Sequence, residues 1–358
     1  MKSPYLYLRG LRHADHTVFC VQDGQKTYWD PQFRRSLPFS SGQQVKRSIM
    51  EQAMNKLGRG LAPVEFRWKK VQGKSPKEDI AVQPCDPSFP DQLLGGYMKA
   101  ESNNTVKRRS PLSISAMRPL HPLLAGTDAE EGTFDRTENP ASKVTLLDED
   151  GNEMSSEELS EYLDRIDKRL PKRKFLNEQT RAYGLFVYDV AIDLRRLFSV
   201  SIIDQLKGEP EVYHQIKEKL QKAKWVESEN SFGPCLVCPK DQREKIIPAL
   251  ADSLLSWRIT SNQARTFSLM EPLAFALSDK APAVAGAIRA ELSEDVEKNQ
   301  AVPRIDKNAG ADVFVTLPAA GYIKGEKGSA DAIKQAKDWL VERMSSFDYE
   351  NQSSVTAS

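Results

Sequence analysis

The sequence predicts an α+β fold of the ferredoxin type, and three observations carry this prediction. Residues 183–194 (YGLFVYDVAIDL) are rich in β-branched and aromatic residues and predict a central strand. Apolar residues recur at helical spacing over 42–57, 241–257 and 329–344. The predicted elements follow the order strand, helix, strand, insertion, strand, helix, strand, which fits an α+β sandwich better than a doubly wound parallel sheet.

The first part of the chain predicts strands around one helix. Strands are predicted at 4–10, 16–21 and 61–70. The first helix runs from Gly42 to Leu57, and Ser40 or Ser41 is suited to cap it. Residues 71–92 are polar and Pro-rich and are expected to be irregular.

The middle of the chain predicts an insertion, and the rest returns to regular structure. Residues 119–180 have few apolar runs and many charges, with a short helix near 156–169. Besides 183–194, strands are predicted at 270–278 and 311–318. Helices are predicted at 209–223, 241–257 and 329–344.

The charge is balanced overall but uneven along the chain. The 358 residues include 51 Lys and Arg and 50 Asp and Glu. Residues 31–70 contain nine basic and two acidic residues, whereas 128–164 contain thirteen acidic and two basic residues. Such a chain could hold a polyanion on one face and contact a copy of itself through complementary charge on another. Ordinary solvated faces are the alternative.

Composition excludes several classes of protein. No run approaches the roughly 18–20 apolar residues of a membrane span, and the N-terminus lacks an apolar signal region. We therefore expect a cytoplasmic protein without a membrane partner. Four cysteines are too few for a disulfide scaffold. Cys235 and Cys238 have the spacing of half a zinc site, but no second pair follows, and no Gly-rich nucleotide motif occurs, so no metal or cofactor is predicted.

The clearest candidate binding site lies at the start of the first helix. A capped helix presents free N–H groups and the positive end of its dipole, which suit a phosphate. Hydroxyls, carboxamides and cations surround this point and would bind a backbone without reading bases. The candidate residues are Arg34, Arg35, Ser40, Ser41, Gln43, Gln44, Lys46 and Arg47. An ordinary capped, basic helix is the alternative.

These residues also carry a resemblance to a known family. Two arginines, Ser-Ser and then Gln-x-Val-Lys-Arg opening a helix resemble the backbone subunit of type I CRISPR Cascade complexes, a RAMP-type protein of the seventh Cas family with its DevR-like branch. LLGGYMKA at 93–100 resembles the segment whose methionine wedges against the guide RNA, and Met98 matches that methionine. SPLSISAMRPLHPLLAG at 110–126 resembles the entry into the thumb, and residues 183–194 and 260–278 resemble the palm.

The resemblance implies a hand-shaped subunit. It assigns 1–70 and 183–345 to an RRM-like palm, 71–118 to a finger or wedge, 119–182 to a thumb-like insertion and 346–358 to a disordered tail. Several copies would form a helical filament along one CRISPR RNA and support guide–target DNA pairing in antiviral defence. The implied partners are the CRISPR RNA, the target DNA strand, other copies of the chain and other Cascade subunits.

The resemblance and the local charge extend the predicted RNA-binding set. Met98 would prop bases apart, with core packing as its alternative. Basic residues flank the proposed thumb, and a polar loop precedes a palm strand. The added residues are Met98, Lys99, Lys107, Arg108, Arg109, Arg118, Asn262, Gln263 and Arg265.

Two other functions remain open from the sequence. Asp15 and His16 follow the first strand, where type III relatives keep a target-cleaving aspartate, so an RNA-cleaving type III-like backbone subunit is the alternative. No companion nucleophile or oriented base is visible, and we expect no enzyme. A general single-stranded RNA-binding protein is the third possibility, although the sequence lacks an RNP1 aromatic motif.

Overall fold

The computed structural model describes residues 3–20, 24–73, 75–101, 104–175, 179–202, 210–261, 267–294 and 300–352. Helices and strands are mixed, as the predicted class requires. The strands are β1 Tyr5–Thr17, β2 Thr27–Asp30, β3 Arg35–Pro38, β4 Glu65–Lys69, β5 Lys77–Val82, β6 Tyr97–Glu101, β7 Asn104–Arg108, β8 Leu112–Ile114, β9 Arg118–Pro119, β10 Ala125–Glu130, β11 Thr133–Asp135, β12 Arg173–Phe175, β13 Gln179–Asp193, β14 Ser199–Ser201, β15 Val226–Asn230, β16 Gly233–Val237, β17 Glu271–Ser278, β18 Ile288–Leu292, β19 Ala301–Ile305 and β20 Asp312–Val315. The helices are α1 Gly42–Lys56, α2 Pro90–Gly95, α3 Ser156–Arg165, α4 Leu194–Leu197, α5 Pro210–Lys222, α6 Lys240–Ser256, α7 Ala281–Ala287 and α8 Ala332–Ser345.

The chain divides into two compact units. Unit 1 comprises Met1–Thr127 and Ala182–Ser358, and unit 2 comprises Asp128–Arg181. The buried apolar clusters all belong to unit 1. No helix in the described residues is both long and apolar enough to cross a bilayer.

Unit 1 is organised around one sheet, in which β1 pairs antiparallel with both β13 and β17. Its order is β10-β13-β1-β17-β20, and β8 and β9 also pair with β13. Leu8 lies opposite Val190 on one side and Leu277 on the other, so β1 is paired on both edges at this point. The prediction that 183–194 forms a central strand is confirmed, because β13 has partners on both edges.

The two faces of this sheet bury different clusters. Side chains alternate along a strand, so one face of β13 presents Phe186 and Val190 and the other presents Leu185 and Val187. The first face packs with α1, α6 and α8, and the second packs against α7. The larger cluster therefore fixes α1 on the sheet, and α1 carries much of the predicted site.

A buried arginine and a glycine shape the centre of this core. Arg12 donates to the carbonyl oxygens of Leu255 at 2.6 Å and Trp257 at 2.9 Å. Its guanidinium also lies 5.3 Å from the ring centroid of Tyr188. A Cβ on Gly10 would lie 2.3 Å from that ring, so glycine is the residue that leaves room for it.

Three segments differ from the sequence prediction. The strand expected at 4–10 is longer, since β1 continues to Thr17 after a register shift beyond Ala14, whereas residues 18–20 of the strand expected at 16–21 lie outside any strand. Segment 71–92 is not irregular, because β5 and α2 form in it. The tail from 346 is not disordered up to residue 352, since Tyr349 and Gln352 are buried.

In its described residues, unit 2 contains the helix α3 and the small ribbon β11–β12. Strands β11 and β12 pair antiparallel. The predicted short helix is confirmed as α3, which begins with a capping box between Ser155 and Glu158. No residue of α3 is buried, so local capping matters more to this helix than packing does.

Candidate nucleic-acid interface

The N-terminus of α1 is capped as the sequence predicts. Ser41 is the N-cap, and its hydroxyl accepts a hydrogen bond from the Gln44 amide at 3.3 Å. Val45, Ile49 and Met54 lie on the buried face of the helix, which confirms the predicted periodicity. Gln43 and Arg47 are exposed, and Arg47 forms an ion pair with Glu51 at 2.7 Å.

Several members of the predicted phosphate site face the protein. Ser40 is fully buried, and its hydroxyl donates to the carbonyl oxygen of Phe19 at 3.3 Å. A Cβ on Gly42 would lie 2.7 Å from the carbonyl oxygen of Ile114, so one side of the first turn is packed against backbone. Gln44 donates its side-chain amide to Ser48 at 3.3 Å. Ser40 is therefore a structural residue.

The β2–β3 hairpin carries Arg34 and Arg35. Arg34 has φ 52° at the end of the turn and is exposed, and Arg35 is half-buried as the first residue of β3. Trp29 lies opposite Ser36 and is 63% exposed. Trp29 is not among the residues predicted from the sequence, although a tryptophan five residues before two arginines could have indicated a stacking surface.

The β6–β7 hairpin has an inner and an outer face. Tyr97 and Val106 lie on the inner face and are buried with Cys85. Met98 lies directly opposite Lys107 on the outer face; Met98 is 66% exposed and Lys107 is also exposed. The core-packing alternative for Met98 is therefore wrong. Tyr97, its neighbour in sequence, is the residue that enters a core.

Two predicted RNA-binding residues instead fix the root of this hairpin. Lys46 donates to the carbonyl oxygen of Gly95 at 2.7 Å and to the Ser110 hydroxyl at 2.8 Å, so α1 is tied to both sides of β6–β7. Burial, with a smaller effect of Arg108, lowers the pKa of Lys46. The structure thus turns Lys46 inward rather than toward a ligand.

Arg108 is enclosed in a similar way. It donates to the carbonyl oxygens of Leu93, Arg196 and Ser199. Burial lowers its pKa to about 10. Because its donors serve backbone carbonyls, Arg108 holds the hairpin and is not presented to a phosphate in this structure.

The other predicted residues are dispersed. Lys99 lies on the inner face opposite Val106 and is half-buried. Arg109 is exposed beyond β7, and Arg118 is exposed with one nitrogen 3.6 Å from Asp189. Predictions for Asn262, Gln263 and Arg265 lie outside the described residues.

Asp15 and His16, the residues of the RNA-cleaving alternative, lie near the end of β1, and His13 belongs to the same strand. His13 Nδ1 lies 3.0 Å from the Tyr322 hydroxyl, and the two rings stack with centroids 4.2 Å apart. The Tyr322 hydroxyl donates to Glu271 at 3.4 Å. Burial and the Glu271 carboxylate raise the pKa of Tyr322, which keeps the phenol protonated. Asp15 is exposed, and its backbone amide donates to Ser268 at 3.4 Å.

The cysteine pair is buried. Burial raises the pKa of Cys235 to about 11 and that of Cys238 to about 12, so both remain thiols near neutral pH. Within the described part of the chain, no three His, Cys, Asp or Glu side chains are grouped so that they could hold a metal ion.

Comparison with known proteins gave matches among solved structures. No family model matches the chain, and no curated protein matches it. A chain of a "CRISPR RNA-guided surveillance complex, pre-nicking" is similar at 11% identity and a TM-score of 0.44, over 95% of this chain and 88% of that one. A chain of a "CRISPR RNA-guided surveillance complex" is similar at 12% identity and a TM-score of 0.42, over 95% of this chain and 99% of that one.

Proposed function

We propose that this chain is a non-catalytic CRISPR RNA-binding backbone subunit of a type I Cascade effector. Several copies would assemble along one guide RNA, with the sheet of unit 1 as an RRM-like palm and unit 2 as the thumb. Its partners would be the CRISPR RNA, the target DNA strand, further copies of the chain and other Cascade subunits, all in the cytoplasm.

The outer face of the β6–β7 hairpin is the observation that carries this proposal. An exposed methionine is a soft, polarizable side chain that can be inserted between bases. Lys107 lies directly opposite Met98 and can contact a phosphate of the same nucleotide segment. Lys46 and Arg108 hold the hairpin at its root, so the wedge is presented on a rigid support.

Exposed polar side chains supply the remaining contacts. Arg34, Gln43, Arg47 and Arg109 are all exposed. Arginine and carboxamide groups bind phosphate oxygens without reading base identity. Such contacts suit a subunit that leaves sequence recognition to base pairing between guide and target.

Single substitutions on the outer face test the proposal. Lys107→Ala should weaken guide RNA binding and reduce the slope of log affinity against log salt by about 0.7, the value for one phosphate contact on a single strand. Met98→Ala should weaken binding without changing that slope. Lys334→Ala, which removes an exposed lysine from α8, is the matched control and should leave both quantities unchanged. Guide RNA affinity that is unchanged in both Lys107→Ala and Met98→Ala would contradict the proposed interface.

The proposed absence of catalysis has its own test. The assembled complex should leave target RNA intact, and Asp15→Asn and His16→Ala should change neither RNA binding nor the integrity of the target. Target RNA cleavage that is lost in Asp15→Asn would instead establish the RNA-cleaving alternative.

A further inference from the structure

The β4–β5 hairpin, residues 65–82, presents two aromatic rings to solvent. Phe66 is 67% exposed and Trp68 is 61% exposed. They are two residues apart on β4 and therefore lie on one face of the ribbon, about 7 Å apart along the strand. Neither ring stacks on another aromatic ring in the described residues.

The partners across the ribbon leave these rings accessible. Phe66 lies opposite Ala81, and Trp68 lies opposite Glu78 after a bulge in the register. A methyl group covers little of the Phe66 ring, and the Trp68 side chain remains 61% exposed beside Glu78. The flat sides of both rings are therefore open to a ligand.

The opposite face of the ribbon holds its ion pairs. Glu65 pairs with Arg67 at 3.1 Å, and Lys69 pairs with Asp79 at 2.6 Å. Two of the three carboxylates of the hairpin are thus neutralised on the side away from the rings. The third carboxylate, Glu78, lies opposite Trp68 on the aromatic face.

Lysines accumulate at the far end of the ribbon. Lys69 lies directly opposite Lys77, and Lys70 follows β4; all three are exposed. Because Lys69 already forms an ion pair with Asp79, a bound anion would be contacted mainly by Lys70 and Lys77. The sequence of the hairpin contains five basic and three acidic residues.

We propose that the β4–β5 hairpin is a second nucleic-acid surface, on which unpaired bases of a single strand stack against Phe66 and Trp68 while the lysines at its end contact the phosphates. Aromatic rings beside cations are the elements with which proteins bind single strands without sequence preference. The excess of lysine favours a polyanion over an apolar protein surface as the occupant. This inference goes beyond the proposed guide site and does not depend on it.

Leucine substitutions separate stacking from simple apolar contact. We would measure binding of a fluorescent oligothymidine to the full chain, its Phe66→Leu and Trp68→Leu variants and Trp68→Phe. Stacking predicts a loss of about fivefold or more in affinity for each ring replaced by leucine, and near-normal affinity in Trp68→Phe. Val226→Leu, an exposed apolar position on β15, is the control that should leave affinity unchanged.

The same variants distinguish this inference from the guide site. Guide RNA binding that depends on Lys107 should survive in the leucine variants if the two surfaces are separate. Oligothymidine affinity that is unchanged in Phe66→Leu and Trp68→Leu would overturn the inference and leave the proposed function standing. Preference for a duplex over the single strand would also overturn it, because paired bases do not expose their flat faces.

Discussion

Lys46 and Arg47 are neighbouring basic residues on α1, and the fold gives them opposite surroundings. Lys46 reaches Gly95 and Ser110 across 49 and 64 residues of sequence. Arg47 remains exposed and pairs with Glu51 in the next turn. Sequence spacing predicts the helix that carries both residues, but it contains no information about which side chain finds distant partners.

This difference can be measured as stability. Lys46→Met keeps the length of the side chain but leaves the Gly95 carbonyl without its charged donor, which should lower the free energy of unfolding by about 2 kcal/mol. Arg47→Met removes an exposed ion pair and should change it by less than about 0.5 kcal/mol. Urea unfolding of both variants compares them directly. Equal effects would show that Lys46 does not fix the hairpin.

Cys235 and Cys238 give a prediction that depends on pH. Their pKa values are raised by burial to about 11 and about 12, above the ordinary 9.0. The stabilising contribution of each neutral thiol is therefore complete below about pH 9 and is lost as pH rises through the folded pKa. Iodoacetamide at mildly alkaline pH should label neither thiol in the native protein and both in urea, as read by peptide mass spectrometry. Rapid native labelling would contradict their burial.

The β6–β7 hairpin is the element on which the proposed guide site depends, and Gly96 sets its entry. Gly96 has φ 72°, and a Cβ there would lie 2.6 Å from the carbonyl oxygen of Arg108. Gly58 has a similar φ of 63° with nothing within 4 Å of the added atom. Both glycines therefore have a positive φ, and they differ in the clash that an added Cβ would make.

Alanine substitutions at these two positions should separate the two effects. Gly96→Ala should lower the free energy of unfolding by about 1–3 kcal/mol more than Gly58→Ala does. Both substitutions strain a backbone with positive φ, but only at Gly96 must neighbouring backbone also move to make room for the Cβ. Gly96→Ala should also weaken guide RNA binding by displacing Met98, whereas Gly58→Ala should not. Urea unfolding and titration with guide RNA measure the two effects on both variants. Equal stability and equal RNA affinity in the two variants would show that the hairpin does not form part of the guide site.

At this scale, the sequence predicts elements well where period and capping agree. Helix α1 combines an apolar period with a cap, and strand β13 is predicted from its β-branched and aromatic residues. Strand β5 and helix α2 were missed because polar and proline residues hide their patterns. The outward position of Met98 follows from strand pairing with Lys107, which only the fold provides.

At the scale of the whole molecule, the hydrophobic core and the acidic segment 128–164 belong to different units. Among the described residues, the buried apolar clusters belong to unit 1, and the whole acidic segment 128–164 lies in unit 2, which spans Asp128–Arg181. Unit 1 therefore contains the residues that hydrophobic burial stabilises.

Shortening unit 2 tests whether unit 1 folds by itself. Replacing residues 132–178 with a short Gly-Ser linker keeps Glu130 and Arg181, which pair at 2.5 Å. The shortened chain should unfold cooperatively, with a Tm within a few degrees of the parent, because no buried cluster loses a member. Differential scanning calorimetry reads this outcome. Loss of cooperative unfolding would show that unit 2 is required for the fold.

Whether the full chain carries a guide RNA as a multimer is the most direct test of the central claim. The chain would be co-expressed with a CRISPR array, purified, and analysed by native mass spectrometry and by sequencing of the bound RNA. We predict a multimer on one RNA of uniform length, whose formation Lys107→Ala weakens and high salt reverses. A monomer that is purified without RNA and does not bind added guide RNA would contradict the proposed role as a guide-binding backbone subunit.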